Sequence, residues 1–101
     1  MEECTFQAPL WRWEGPAAWF FATLTEEASE LCRDRPEPPR GFGSVKVEAT
    51  LSSEAGVTTW QTSVFPDSSS GRFLLPVKKS VRKQHDLDEG DLLDLTLAVV
   101  G

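Results

Sequence analysis

Apolar and polar residues alternate at a period of two in four stretches of this chain, and turn-forming residues separate the stretches. Val45, Val47, Ala49 and Leu51 interleave with Lys46, Glu48 and Thr50. Leu93, Leu95, Leu97 and Val99 repeat the pattern near the end. Trp60, Thr62 and Val64 oppose Thr59, Gln61 and Ser63, and Phe6, Ala8 and Leu10 share one face of the first stretch. This is the period of a strand with one face buried, and it cannot line one side of a helix. The chain must therefore bury its apolar residues on a sheet.

The punctuation fixes the order of elements. Strands are expected at Thr5–Trp13, Ala17–Leu24, Val45–Leu51, Val57–Phe65, Arg72–Leu75 and Asp91–Val100. Pro9 gives the first strand an edge or a bulge. Trp19 falls in a second strand that is apolar on both faces and so well covered. Thr25 can N-cap a short helix, Glu26–Cys32, whose first turn carries acids. A second helix is expected at Val77–Gln84, with Val77 and Val81 at i,i+4 forming its one apolar stripe. Arg33–Gly43 holds three prolines and two glycines and reads as a long loop, either a flap or a functional loop. Six short strands without a βαβ rhythm imply one all-β domain over residues 1–101: a small, closed, mostly antiparallel barrel of about six strands with two short helices. Closure also removes the edges that so many strands would expose.

The 101 residues carry 10 basic and 16 acidic side chains, and their distribution is uneven. Arg72, Lys78, Lys79, Arg82 and Lys83 fall within twelve positions that hold no acid, which leaves a net −11 on the remainder. On the expected helix, Lys78 and Arg82 form one i,i+4 pair and Lys79 and Lys83 another. Each pair repels unless an anion lies between its members. The overall acidity argues against general nucleic-acid binding, which needs a broad basic face. The longest purely apolar run, Ala17–Ala22, is far too short to span a bilayer. MEECTF is acidic with no apolar core after it, so no secretory leader is expected and the cytoplasm is the default location.

No catalytic set is visible. Cys4, Cys32 and His85 are too few for a structural zinc site, and neither a metal nor a cofactor is expected. His85 beside Asp86 can be read as an oriented base or as a cation at the helix C-terminus, and the second reading is preferred. Asp86, Asp88, Glu89, Asp91 and Asp94 lack EF-hand spacing and read as a solvated turn in which Gly90 takes a positive φ. The aromatic set is apolar, with four Trp, six Phe and no Tyr. If Phe6 and Leu10 face the core, Trp11 and Trp13 face outward and mark a partner or ligand surface. The candidate binding residues are Trp11, Trp13, Trp19 and Trp60, with Arg72, Lys79 and Lys83 as anion contacts.

The run GRFLLPVKKSVRKQHDLDEGDLLDLTL resembles the G-x-[FY]-x-[LI]-P-[LV]-x-K-x-[LV]-R-K-x-x-x-[LI]-x-x-G-D signature of the domain-of-unknown-function family nineteen-oh-five. The Trp19 strand followed by Thr25 and an acidic helix is similar to that family's first hairpin and helix, and Val45–Leu51 to its central strand. The resemblance covers roughly residues 6 to 100 and implies a small β-barrel with short helices. It implies no activity. LPVKKSVRKQHDLDEGD also resembles the hinge of AbrB-type swapped-hairpin regulators, though over a shorter span.

The leading expectation is a non-catalytic barrel that binds a small molecule or a protein partner, as a monomer or homodimer. Two alternatives stand beside it. One is a small cyclase- or isomerase-like enzyme that encloses an apolar substrate. The other is a nucleic-acid-binding regulator using the basic helix. An interior pocket touching Trp and Phe favours the first two readings over the third.

Overall fold

The computed structural model describes residues 3–15, 19–33 and 43–100. Six strands close into a barrel in the order β1-β2-β5-β4-β3-β6, with every neighbouring pair antiparallel. The strands are β1 (Glu3–Arg12), β2 (Phe20–Thr23), β3 (Val45–Ser53), β4 (Gly56–Pro66), β5 (Phe73–Pro76) and β6 (Leu92–Val99). The helices are α1 (Glu26–Arg33) and α2 (Lys79–Gln84). The closed, mostly antiparallel barrel with two short helices is the architecture expected from the period-two runs.

Alternation decides which side chains enter the barrel. In β3, Val45, Val47, Ala49 and Leu51 are buried. In β6, Leu93, Leu95 and Leu97 are buried, while Val99 is only half-buried. Registers such as Ala49↔Trp60, Ala49↔Leu97 and Phe6↔Leu95 place inward residues side by side across the ladders. The interior is thereby packed with branched aliphatic side chains, as a small barrel requires.

Each end of the barrel is sealed by a helix. At one end α1 turns Ala28, Ser29 and Cys32 inward. Thr25 Oγ1 accepts from the Ala28 amide at 3.3 Å and caps the helix. Ser29 Oγ accepts from the Phe73 amide at 3.2 Å, and the Leu24 amide donates to the Phe73 carbonyl, so α1 is tied to the start of β5. At the other end α2 inserts Val81, which is fully buried.

Most boundaries shift by one or two residues, and two shifts bear on the site. The helix expected from Val77 starts at Lys79. Lys78 is extended, with φ −69° and ψ 160°, and the Val77 amide donates to the Phe20 carbonyl at 3.0 Å. Val77 thus prolongs the β2–β5 ladder and is buried from there rather than from a helical stripe. The strand expected from Ala17 begins at Phe20; its first residues, 17 and 18, lie outside the described residues, as does nearly all of the Arg33–Gly43 loop.

Candidate functional site

The β1–β2 ladder decides which way the aromatic residues face. Leu10 and Ala22 are register partners and both are buried. The next pair, Trp11↔Phe21, must then point outward. Beyond it the Trp13 amide donates to the Trp19 carbonyl at 2.8 Å, so this pair continues the outward row one step past the paired residues. Trp13 is 43% exposed and Trp19 51%. Trp19 is therefore not covered, contrary to the expectation of a strand buried on both faces: it precedes β2, at the rim, where none of the described elements overlies it.

Ring packing joins three of these side chains. The Trp11 and Phe21 centroids are 5.2 Å apart, and Trp19 stacks on Phe21 at 6.2 Å with an interplanar angle of 11°. Trp11 Nε1 donates to Thr23 Oγ1 at 2.9 Å, which fixes the Trp11 ring and satisfies its one polar atom. Neighbouring strands extend the apolar character. Pro76 lies opposite Phe21, Leu74 lies between Thr23 and Phe65, and Leu92, 60% exposed, lies opposite Pro9.

Trp60 does not join this surface. It is 7% exposed and belongs to the core, on the inward parity of β4 beside Ala49. The candidate tryptophans thus divide into three on the outer face and one that fills the barrel.

The basic candidates divide as well. Arg72 lies at the α1 end, where its Nε is 3.5 Å from Glu26 Oε2, and Glu26 also binds Arg33 at 2.7 Å. Lys78, Lys79 and Lys83 lie at the α2 end, all exposed. Arg82 stacks over the Phe20 ring at 4.0 Å and donates from Nε to the Val77 carbonyl at 3.1 Å. An aromatic ring and a carbonyl, not an acid, therefore hold the cation at Arg82. Lys78 precedes the helix in extended backbone and follows Val77, whose amide bonds to the Phe20 carbonyl, so it continues β5 one residue past that bond, on the Trp19 side of Phe20.

His85 is the residue whose role the sequence misassigned. It does not stand in solvent at the end of the helix but is 6% exposed. Nδ1 lies 2.5 Å from Ser53 Oγ and Nε2 lies 2.8 Å from Thr58 Oγ1. These hydroxyls stand on either side of the β3–β4 turn, so His85 clamps the end of α2 to that hairpin. Its partners lie 27 and 32 residues away, and no local pattern marks them.

Burial, with the Glu27 carboxylate adding to it, pushes the Cys4 thiol above its ordinary range and leaves it a poor nucleophile. In the acidic turn, Asp91 Oδ2 accepts from the Asp88 amide at 2.7 Å, and Gly90 has φ 95°. Among the described residues no group of three or more His, Cys, Asp or Glu is placed to hold a metal. A shallow surface depression of about 170 Å³ lies over β3 and β4, beside Lys46 and Gln61, and has no aromatic wall.

A packed six-stranded barrel flanked by two short helices, with Trp11, Trp13 and Trp19 on its outer face and Trp60 in its core, defines a small β-barrel domain. Residues 6–97 match the family described as Domain of unknown function (DUF1905), and the chain belongs to that family. No curated protein matches the chain.

Proposed function

We propose that this barrel is a non-catalytic binding module that receives its partner on the outer aromatic face of β1 and β2. One observation carries the reading: Trp11, Trp19 and Phe21 pack ring against ring on the outer face, and Trp13 is exposed beside them, while the core is filled with aliphatic side chains. Exposed tryptophan is a large apolar liability unless something covers it, and tryptophan is enriched among the residues that dominate binding energies. Enclosure of a substrate, by contrast, finds no support in an interior occupied by Leu10, Leu51, Leu75, Leu93, Leu95 and Leu97.

The test compares the parent with Trp13→Ser/Trp19→Ser. Both side chains are exposed, so the variant should melt close to the parent. A library of metabolites, peptides and oligonucleotides is then screened by melting temperature and tryptophan emission. Any partner of the parent, including a second copy of the chain, should lose affinity at least about tenfold against the variant. Partners that bind parent and variant equally would place the binding function elsewhere on the molecule.

A further inference from the structure

The charges at the edges of the aromatic face say what covers it. Across the barrel the order is β6-β1-β2-β5, with the outward tryptophans on the central pair. On the β5 side stands Lys78, with Lys79 and Lys83 beyond it. All three are exposed, and among the described residues no carboxylate is within ion-pair distance of them. On the β6 side the turn Asp88–Asp91 joins β1 at Leu10: the Gly90 amide donates to the Leu10 carbonyl and the Leu10 amide to the Asp91 carbonyl, at 2.7 and 2.8 Å. Asp88, Glu89 and Asp91 are exposed there, and Glu14 is exposed just after Trp13. The face is therefore an apolar strip with a cationic edge on one side and an anionic edge on the other.

Such a strip is complementary to itself. A twofold axis parallel to the strands, lying in the interface between β1 and β2, reverses the order across the face. It sets β6-β1-β2-β5 of one copy against β5-β2-β1-β6 of the other. Trp13 then faces Trp19 of the second copy, and the edge that carries the acidic turn faces the edge that carries Lys78, on both sides of the axis at once. An isologous interface demands this arrangement. A nucleic-acid strand finds no such match, because the Asp88–Asp91 edge repels its phosphates as strongly as the lysines attract them.

Resting on the outer-face reading above, we infer that the occupant of the face is a second copy of this chain, in a head-to-head twofold dimer. Two convex barrel faces meet over a limited area, so the dimer belongs with weak interfaces, with a Kd on the order of 10–100 µM. Its affinity falls with salt, because four charged edges face each other at the rim.

The decisive experiment uses two charge-reversed variants. In Lys78→Glu/Lys79→Glu both edges become acidic, and in Glu14→Lys/Glu89→Lys the acidic edge is neutralised or reversed. All four positions are exposed. Sedimentation from about 10 µM to about 500 µM, a range that brackets the expected Kd, should show the parent self-associating. Each variant alone should be weakened at least about tenfold, and their equimolar mixture should recover a heterodimer, since only the mixture pairs unlike edges on both sides. A parent that stays monomeric throughout overturns the inference, as does a mixture no more associated than its components. In either case the outer-face reading survives if an added peptide or oligonucleotide changes the tryptophan emission of the parent but not of Trp13→Ser/Trp19→Ser. Self-association unaffected by the tryptophan substitutions would instead remove the outer-face reading together with the inference.

Discussion

Replacing His85 with Ala removes the clamp between α2 and the β3–β4 hairpin, and the cost can be built from the parts. The ring loses contacts to two hydroxyls, each contributing about 1 kcal/mol net. Truncating a buried ring adds about 1 kcal/mol for lost packing and residual cavity, at the low end of large-to-small substitutions because the site lies near the barrel rim. Ser53 is exposed and its hydroxyl regains water, whereas Thr58 is half-buried and regains less. The total is about 2–3 kcal/mol. For a domain near 100 residues each kcal/mol moves the melting temperature by about 4–8 °C, so the variant should melt about 10–20 °C below the parent. Differential scanning calorimetry reads this directly. Ser53→Ala should cost less than about 1 kcal/mol, and the double variant should cost less than the sum of the two single ones, since the residues share one contact. A His85→Ala protein melting within about 3 °C of the parent would refute the clamp, and additive effects would show that Ser53 and His85 do not interact.

Three further outcomes follow from the same structure. Val81→Asp puts an unpaired carboxylate under α2 among apolar neighbours; it should cost several kcal/mol and open the α2 end of the barrel, seen as loss of amide protection at Val77 and Leu75 before global unfolding. Gly90 has φ 95° and open space where a Cβ would stand, so Gly90→Val should cost about 1–2 kcal/mol through backbone strain alone, while Gly90→Asn should recover part of it in urea titrations. Hydrogen bonds from Ser70 and Ser69 hold the Asp67 carboxyl below its ordinary range. Because the folded value lies below the unfolded one, the stabilisation is present above the unfolded pKa and is lost as pH falls through the folded value. The gap in urea midpoint between parent and Asp67→Asn should therefore be present at neutral pH and vanish in strong acid.

What the sequence made legible is what depends on local period. The buried faces of β3 and β6 were readable residue by residue, because alternation alone sorts Val45 to Leu51 and Leu93 to Leu97. The outward direction of Trp11 and Trp13 followed from the inward Phe6 and Leu10 by the same logic. The misreadings sit where long-range contacts outweigh local ones. Val77 has helical spacing from Val81, yet its amide is claimed by Phe20 across the ladder. Trp19 and Trp60 are both tryptophans in apolar surroundings. One faces solvent and the other the core because of where each strand begins and which parity it keeps. The five clustered cations look like one patch in the sequence, but β5 carries Arg72 to Glu26 at one end of the barrel and delivers Lys78 to the other.

The seam between β1 and β6 has a consequence for how the molecule comes into being. Seven residue pairs, from Glu3↔Ala98 to Pro9↔Leu92, join the barrel's first strand in chain order to its last. Until β6 is made, Cys4, Phe6, Ala8 and Leu10 lack their cover and β1 shows an open edge along most of its length. The ring cannot close early, and its slowest contacts span nearly the whole chain, which places the barrel among topologies that fold slowly for their size. During that interval the nascent chain offers a bare apolar strand to any neighbour.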